Sequence, residues 1–120
     1  METLYEKVGK NRLRELVDKF YDIVFADARI KDLFLTDQSL VRDKQFMFLS
    51  QFLGGPASYT QEYGHPKMKM RHLPHAIDNE AKDAWLSCMR TAIDSMCFED
   101  DLGDALYNCF PKVAEHMVNR

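Results

Sequence analysis

Between Leu13 and Val24 the apolar residues Leu13, Leu16, Val17, Phe20, Tyr21 and Val24 recur at intervals of three and four, the period of a helix that buries one stripe. This pattern predicts a first helix running to about Phe25. A second series, Val41, Phe48, Leu49 and Phe52, predicts a helix from Leu40 to Leu53. It begins after the cap-capable Asp37 and Ser39 and stops at Gly54-Gly55-Pro56, where glycine can cap and proline cannot continue. From Gly54 to Pro66 the chain is rich in Gly, Pro, Ser and Tyr without helical period, which predicts a loop. A loop that long in a chain this small is expected to be functional or packed against something. A short helical turn from Lys67 to Leu73, ended by Pro74, comes next. Asp78 then caps a long helix with Trp85, Cys88, Met89, Ala92, Ile93 and Met96 on one face. The last helix is expected between Asp101 and Asn119, with Leu102, Leu106, Cys109, Phe110, Val113, Ala114 and Met117 inward. Pro111 interrupts that pattern, so a kink or short break is expected near Asn108 to Phe110. With no strand alternation and no internal repeat, the fold class is all-α.

Composition narrows the picture. The 120 residues suit one domain over 1–120, and about two thirds of the unfolded surface can be buried at this size. Apolar residues make up 46% and charged residues 29%, the balance of a folded soluble chain. A formal charge of −3 without a block of basic residues excludes the electrostatic footprint of a nucleic-acid binder. No apolar run approaches the roughly 18 residues of a membrane span, and Met1 to Glu6 is too polar for a signal peptide, so no membrane association and a cytoplasmic location are expected. Cys88, Cys97 and Cys109 are an odd, widely spaced set that fits neither a disulfide framework nor a CxxC motif, and they read as reduced packing residues. Seven methionines spread over several helices define no interface, which leaves monomer or homodimer open.

A few residues break the core pattern. Gln45 lies four residues after Val41 and three or four before Phe48 and Leu49, which puts a polar amide in the middle of an apolar stripe. An unpaired buried amide costs about 1–3 kcal/mol, so the fold or a ligand must supply partners. Tyr21 and Trp85 pose the same question on their own helices, with a core role whose polar tip meets a carbonyl or water as the plainer answer. His72 sits beside Arg71 on a segment that also carries Lys67 and Lys69; these cations disfavour its protonated form and keep a nitrogen lone pair available to a metal. Taken singly, His72 reads equally as a surface or core residue, and His65 and His75 have the same entitlement. The three lack an accompanying Cys, Asp or Glu at zinc-ligand spacing.

The ordered series Phe48-Leu49-Ser50-Gln51-Phe52-Leu53-Gly54-Gly55-Pro56, Tyr59, Gly64-His65-Pro66, Met70-Arg71-His72, Ile77, Asp83-Ala84-Trp85-Leu86, Cys88-Met89 and His116-Met117-Val118-Asn119 resembles a bacterial truncated hemoglobin of group II over nearly the whole length. The resemblance implies a shortened globin, a two-over-two helical sandwich around heme b, with His72 as the axial iron ligand. It places the distal tyrosine on Tyr21, the distal-helix glutamine on Gln45, the ligand-contacting tryptophan on Trp85 and the aromatic residue packing on the porphyrin on Phe34. It further implies that Lys44, Tyr59 and Arg71 contact the heme or its propionates, chemistry suited to cations and a phenol near two carboxylates. Val41 falls where many globins offer a distal histidine and cannot donate, so distal polarity must come from elsewhere. Leu35 stands where relatives usually have proline, Lys10 and Asn11 replace a more glycine-rich opening, and His75 stands where phenylalanine is common, which makes His75 a weak alternative ligand.

Three functions follow as expectations. The leading one is a cytoplasmic heme protein that binds a diatomic gas, oxygen first and nitric oxide or carbon monoxide after it. Tyr21, Gln45 and Trp85 would donate to a ligand that gains negative charge on binding, so release is slow and simple oxygen transport is disfavoured. The alternative is a heme enzyme that detoxifies nitric oxide or peroxide with an external reductase, because no GxGxxG or other nucleotide motif occurs in the chain. The third is a heme-free helical interaction domain.

Overall fold

The computed structural model describes residues 2–31, 37–63, 78–116 and 118. Among the described residues seven helices follow one another: α1 Leu4–Val8, α2 Lys10–Ala26, α3 Gln38–Phe52, α4 Ser58–Tyr63, α5 Asn79–Met96, α6 Leu102–Tyr107 and α7 Pro111–His116. No strand occurs among the described residues, as the period of the sequence requires. None of the described helices is long and apolar enough to cross a membrane.

The first stripe is buried as its spacing predicts: Leu13, Leu16, Val17, Phe20, Tyr21 and Val24 are all inaccessible. Burying a side chain of this kind contributes about 1.5–3 kcal/mol over leaving it exposed, so α2 is the chief source of cohesion. It packs against α3 on one side and α5 on the other, while α5 packs against α6 and α7. The result is a pair of helices stacked on a second pair. Asp37 caps α3 by accepting from the Leu40 N–H at 3.2 Å, and Asp78 caps α5 by accepting from the Ala81 N–H at 2.8 Å. Ser39 lies inside α3 and is not its cap.

One expectation needs correction. The segment 54–66 is not wholly a loop, because α4 occupies Ser58–Tyr63. Its start is fixed by Gln51 of α3, whose amide oxygen accepts from the Thr60 N–H at 3.0 Å and whose NH₂ donates to the Thr60 hydroxyl at 2.7 Å. Six residues are too few for a hydrophobic period to show, so that helix rests on tertiary contacts. The break expected at residues 108–110 is present, with Pro111 as the first residue of α7, where its missing N–H costs nothing. Helix α1, which no apolar period announces, is carried by the capping box Thr3-Leu4-Tyr5-Glu6, in which Thr3 Oγ1 accepts from the Glu6 N–H at 3.1 Å. The predicted turn from Lys67 to Leu73 lies outside the described residues.

The pair Gly54-Gly55 does more than stop α3. Gly54 has φ +98° and its missing side chain leaves room for Thr3, while a Cβ on Gly55 would lie 2.6 Å from Tyr5 Cγ and 2.8 Å from the Ser50 carbonyl oxygen. The Tyr5 N–H donates to the Leu53 carbonyl at 3.0 Å, so α1 docks on the end of α3 through backbone and ring together. Gly55→Ala should therefore cost about 1–3 kcal/mol by overpacking, read as a lowered midpoint in denaturant at unchanged slope.

Cys88 is buried and its thiol donates to Asp27 Oδ2 at 3.5 Å, with Asp27 held in turn by Arg29. Burial, reinforced by that carboxylate, pushes the Cys88 thiol up to about 11. Cys109 is half-buried and Cys97 exposed, and all three are free. Because thiolates are the reactive form, a thiol reagent at pH 8 should modify Cys97 first and Cys88 last, with the order readable by mass spectrometry of peptides.

Candidate functional site

The face of α3 that reads as a buried stripe is only partly buried. Leu49 is inaccessible, but Val41, Gln45 and Phe48 are half-buried and Phe52 is 39% exposed. The reason is geometric: α2 covers one side of α3, and the apolar series runs on past the edge of that contact. What remains is a continuous series of ring contacts that runs from the exposed Phe52 inward to the buried Phe110, Phe20 and Tyr21. Phe48 stacks on Phe52 at 5.7 Å between centroids, Phe52 on Phe110 at 6.0 Å, and Phe110 meets the edge of Trp85 at 5.5 Å. Trp85 meets Phe20 at 5.0 Å, and Phe20 meets Tyr21 at 4.9 Å. Helices α3, α5 and α2 and the turn before α7 thus each contribute rings to one wall. Tyr59 of α4 is buried beside it, its ring edge-on to Phe48 at 5.8 Å.

Three polar side chains interrupt this wall. Tyr21 is 2% exposed, and burial raises its phenol well above the ordinary range, offset in part by the charge of Arg42, so the group is a neutral O–H at physiological pH. Gln45 and Trp85 are half-buried, and neither the Gln45 amide nor the Trp85 indole N–H makes a hydrogen bond to a described residue. No buried polar side-chain atom among the described residues lacks a partner, so these two donors stand at the open edge of the wall and not sealed within it. Tyr21 and Trp85 both pack their rings on Phe20, and Gln45 lies on the neighbouring helix α3. Val41 and Lys44 share α3 with Gln45, and Lys44 is half-buried. His72, Arg71 and Phe34 lie outside the described residues, as do Leu35, His65 and His75.

Sequence reasoning overlooks two parts of the site. One is the aromatic wall itself, for which Phe48, Phe52 and Phe110 read only as core. The other is Arg42, whose Nη1 donates to the Asp18 carbonyl at 2.9 Å and to Asp18 Oδ1 at 3.2 Å, and whose Nη2 donates to Asp22 Oδ1 at 2.8 Å. Its guanidinium carbon lies 6.0 Å from the Tyr21 ring centroid and 5.8 Å from that of Phe25. The available signal was the spacing of Asp18 and Asp22, one helical turn apart on α2, facing a single arginine on the next helix.

An apolar aromatic surface with a few N–H and O–H donors at its edge fits a flat, largely apolar prosthetic group that carries a small polar ligand. Comparison with known proteins gives the same direction. The family model described as bacterial-like globin matches residues 3–119. The group 2 truncated hemoglobin YjbI of Bacillus subtilis is 44% identical over 116 residues, 97% of this chain and 88% of that protein. Among solved structures, the truncated oxygen-avid haemoglobin of Bacillus subtilis superposes with a TM-score of 0.93 at 43% identity, covering 98% of this chain and 100% of that one. The group II truncated hemoglobin of Bacillus anthracis superposes with a TM-score of 0.94 at 37% identity, covering 99% and 92%. The chain belongs to the bacterial-like globins, within them to the group II truncated hemoglobins, and its helices form their two-over-two fold.

Proposed function

We propose that the chain is a cytoplasmic heme-binding, oxygen-binding protein that holds heme b through His72 and releases oxygen slowly. The observation that carries this reading is the half-open aromatic wall of Phe48, Phe52, Phe110 and Trp85 with two unbonded donors, Gln45 and Trp85, at its edge. Heme would supply an iron that binds a diatomic gas reversibly. The chain supplies everything that decides how long the gas stays.

Phe48 and Phe52 would cover an apolar ring system and keep water from one face, and the family resemblance assigns Phe34 to the same ring system. Lys44, Arg71 and Tyr59 would be the residues to hold the propionates, two cations and a phenol suited to two carboxylates. Tyr21 holds its proton because burial disfavours the phenolate, and so it donates. Gln45 and Trp85 offer an NH₂ and an N–H whose donors meet no described residue. Val41 contributes bulk without polarity. Donors aimed at a gas that gains negative charge on binding favour oxygen over carbon monoxide, which gains little.

The expressed protein should show a Soret band, and His72→Ala should abolish stable heme uptake. Retention of a normal ferrous spectrum by His72→Ala, with its loss in His75→Ala, would move the axial ligand to His75.

Trp85 gives the quantitative test. Its ring is held by Phe20 and Phe110, so Trp85→Phe keeps most of the packing and removes the donor. A hydrogen bond to a charged acceptor contributes about 1.5–3 kcal/mol and each 1.4 kcal/mol is about tenfold, so the oxygen dissociation rate should rise by about ten- to a hundredfold. Carbon monoxide dissociation should change far less. Stopped-flow displacement of oxygen by carbon monoxide decides it, and equal oxygen off-rates in wild type, Trp85→Phe and Tyr21→Phe would remove the distal donors from the account.

A further inference from the structure

Arg42 is an anomaly on α3. It is a guanidinium whose side chain is only 16% exposed, on a helix face turned toward the stripe of α2. Taking such a charge out of water is costly unless its donors are met, and here three hydrogen bonds meet them: the Asp18 carbonyl, Asp18 Oδ1 and Asp22 Oδ1. Asp18 and Asp22 are one turn apart on α2, and so are Tyr21 and Phe25, whose rings the same guanidinium covers. A planar fork can bridge two carboxylates while stacking on rings; an ammonium cannot.

A second latch joins the same two helices and provides an internal contrast. Arg14 of α2 donates to Asp43 of α3 at 2.7 Å, lies 5.6 Å from the Phe46 centroid and reaches Asp18 Oδ2 at 3.7 Å, so the two latches share that carboxylate and differ in the ring they cover. It is 40% exposed and is not among the groups over the Tyr21 ring. The fold therefore has one latch that ties α2 to α3 away from the polar edge of the wall and one that ties them across Tyr21.

We propose that Arg42 is a positioning residue: gripping Asp18 and Asp22 while covering the Tyr21 ring, it fixes the Tyr21 phenol and, one helical turn along α3, the Gln45 amide at one spacing for the bound gas. The inference rests on the reading of Tyr21 and Gln45 as donors to oxygen. Two effects add. The latch removes rotational freedom from the ring and sliding freedom from α3, and the nearby positive charge makes the phenol a better donor than burial alone would leave it.

The test uses the heme-loaded protein and four variants, Arg42→Met, Arg42→Lys, Arg14→Met and Tyr21→Phe, together with the double variant Arg42→Met/Tyr21→Phe. Arg42→Met should raise the oxygen off-rate about three- to tenfold, part of the effect of losing a charge-assisted hydrogen bond, with carbon monoxide release changed less than about twofold. Arg42→Lys, which keeps the charge without the fork, should fall between, and it preserves the test if the methionine variant fails to fold. Arg14→Met should leave both rates within about twofold of wild type. In the Tyr21→Phe background, Arg42→Met should add less than about twofold. A readout independent of gas release is the Tyr21 ring-flip rate by NMR, which should rise in Arg42→Met and not in Arg14→Met. An unchanged flip rate, an Arg14→Met effect as large as that of Arg42→Met, or additive effects of Arg42→Met and Tyr21→Phe would each overturn the proposal and leave Arg42 a structural latch. If Tyr21→Phe alone leaves oxygen release unchanged in a protein with a normal heme spectrum, the distal reading falls and this inference falls with it. A strong Tyr21→Phe effect beside a silent Arg42→Met sinks the inference alone.

Discussion

Phe20 is the residue on which the arrangement turns. It is fully inaccessible at the centre of the α2 stripe, and it touches both the Tyr21 ring beside it and the Trp85 ring across the interface with α5. Helix α2 packs against α1, α3 and α5, so displacement of its stripe would disturb three interfaces at once. Interiors packed at crystal-like density tolerate little such movement. The distances among the site's side chains are set by this packing: a rigid central helix carries Tyr21, and its two neighbours carry Gln45 and Trp85.

How much of this is written in the sequence depends on the length of each element. The stripes of α2 and α5 run long enough for a period of 3.6 to declare itself, and both caps of the long helices, Asp37 and Asp78, act where the sequence places them. Pro111 announces the break between α6 and α7. The short helices α1 and α4 are less legible, because a helix of five or six residues exists through its caps and contacts and not through propensity. The site shows a similar division. Tyr21, Gln45 and Trp85 can be found because each puts a polar group on an apolar stripe. Phe48, Phe52 and Phe110 cannot, since a phenylalanine on a stripe looks the same whether its neighbour is protein or a prosthetic group. Only the exposure that the fold leaves on Phe52 distinguishes them. Arg42 was hidden for the opposite reason: a charged residue on a helix reads as a solvated face until its two aspartates are seen across the interface.

The site combines two kinds of incompleteness. Phe52 remains exposed, although burying a phenylalanine would stabilise the fold by about 1.5–3 kcal/mol. The donors of Gln45 and Trp85 meet no described residue, although a net hydrogen bond is worth about 1 kcal/mol. Both deficits belong to side chains of α3 and α5. A prosthetic group bound there would remove them together, and ligand binding adds to stability whatever it contributes on binding the folded state.

The docking of α1 also bears on the order in which the molecule assembles. The hydrogen bond from the Tyr5 N–H to the Leu53 carbonyl closes a loop that contains the whole of α2 and α3. A five-residue helix has no standing of its own in water, and the entropy of closing so long a loop is recovered only once both intervening helices are in place. Helix α1 therefore gains order only after α2 and α3 are in place. Its fit against Gly54-Gly55 then acts as a check on the register of α3: a strand of contacts that zips only when the helix before it has ended at the right residue.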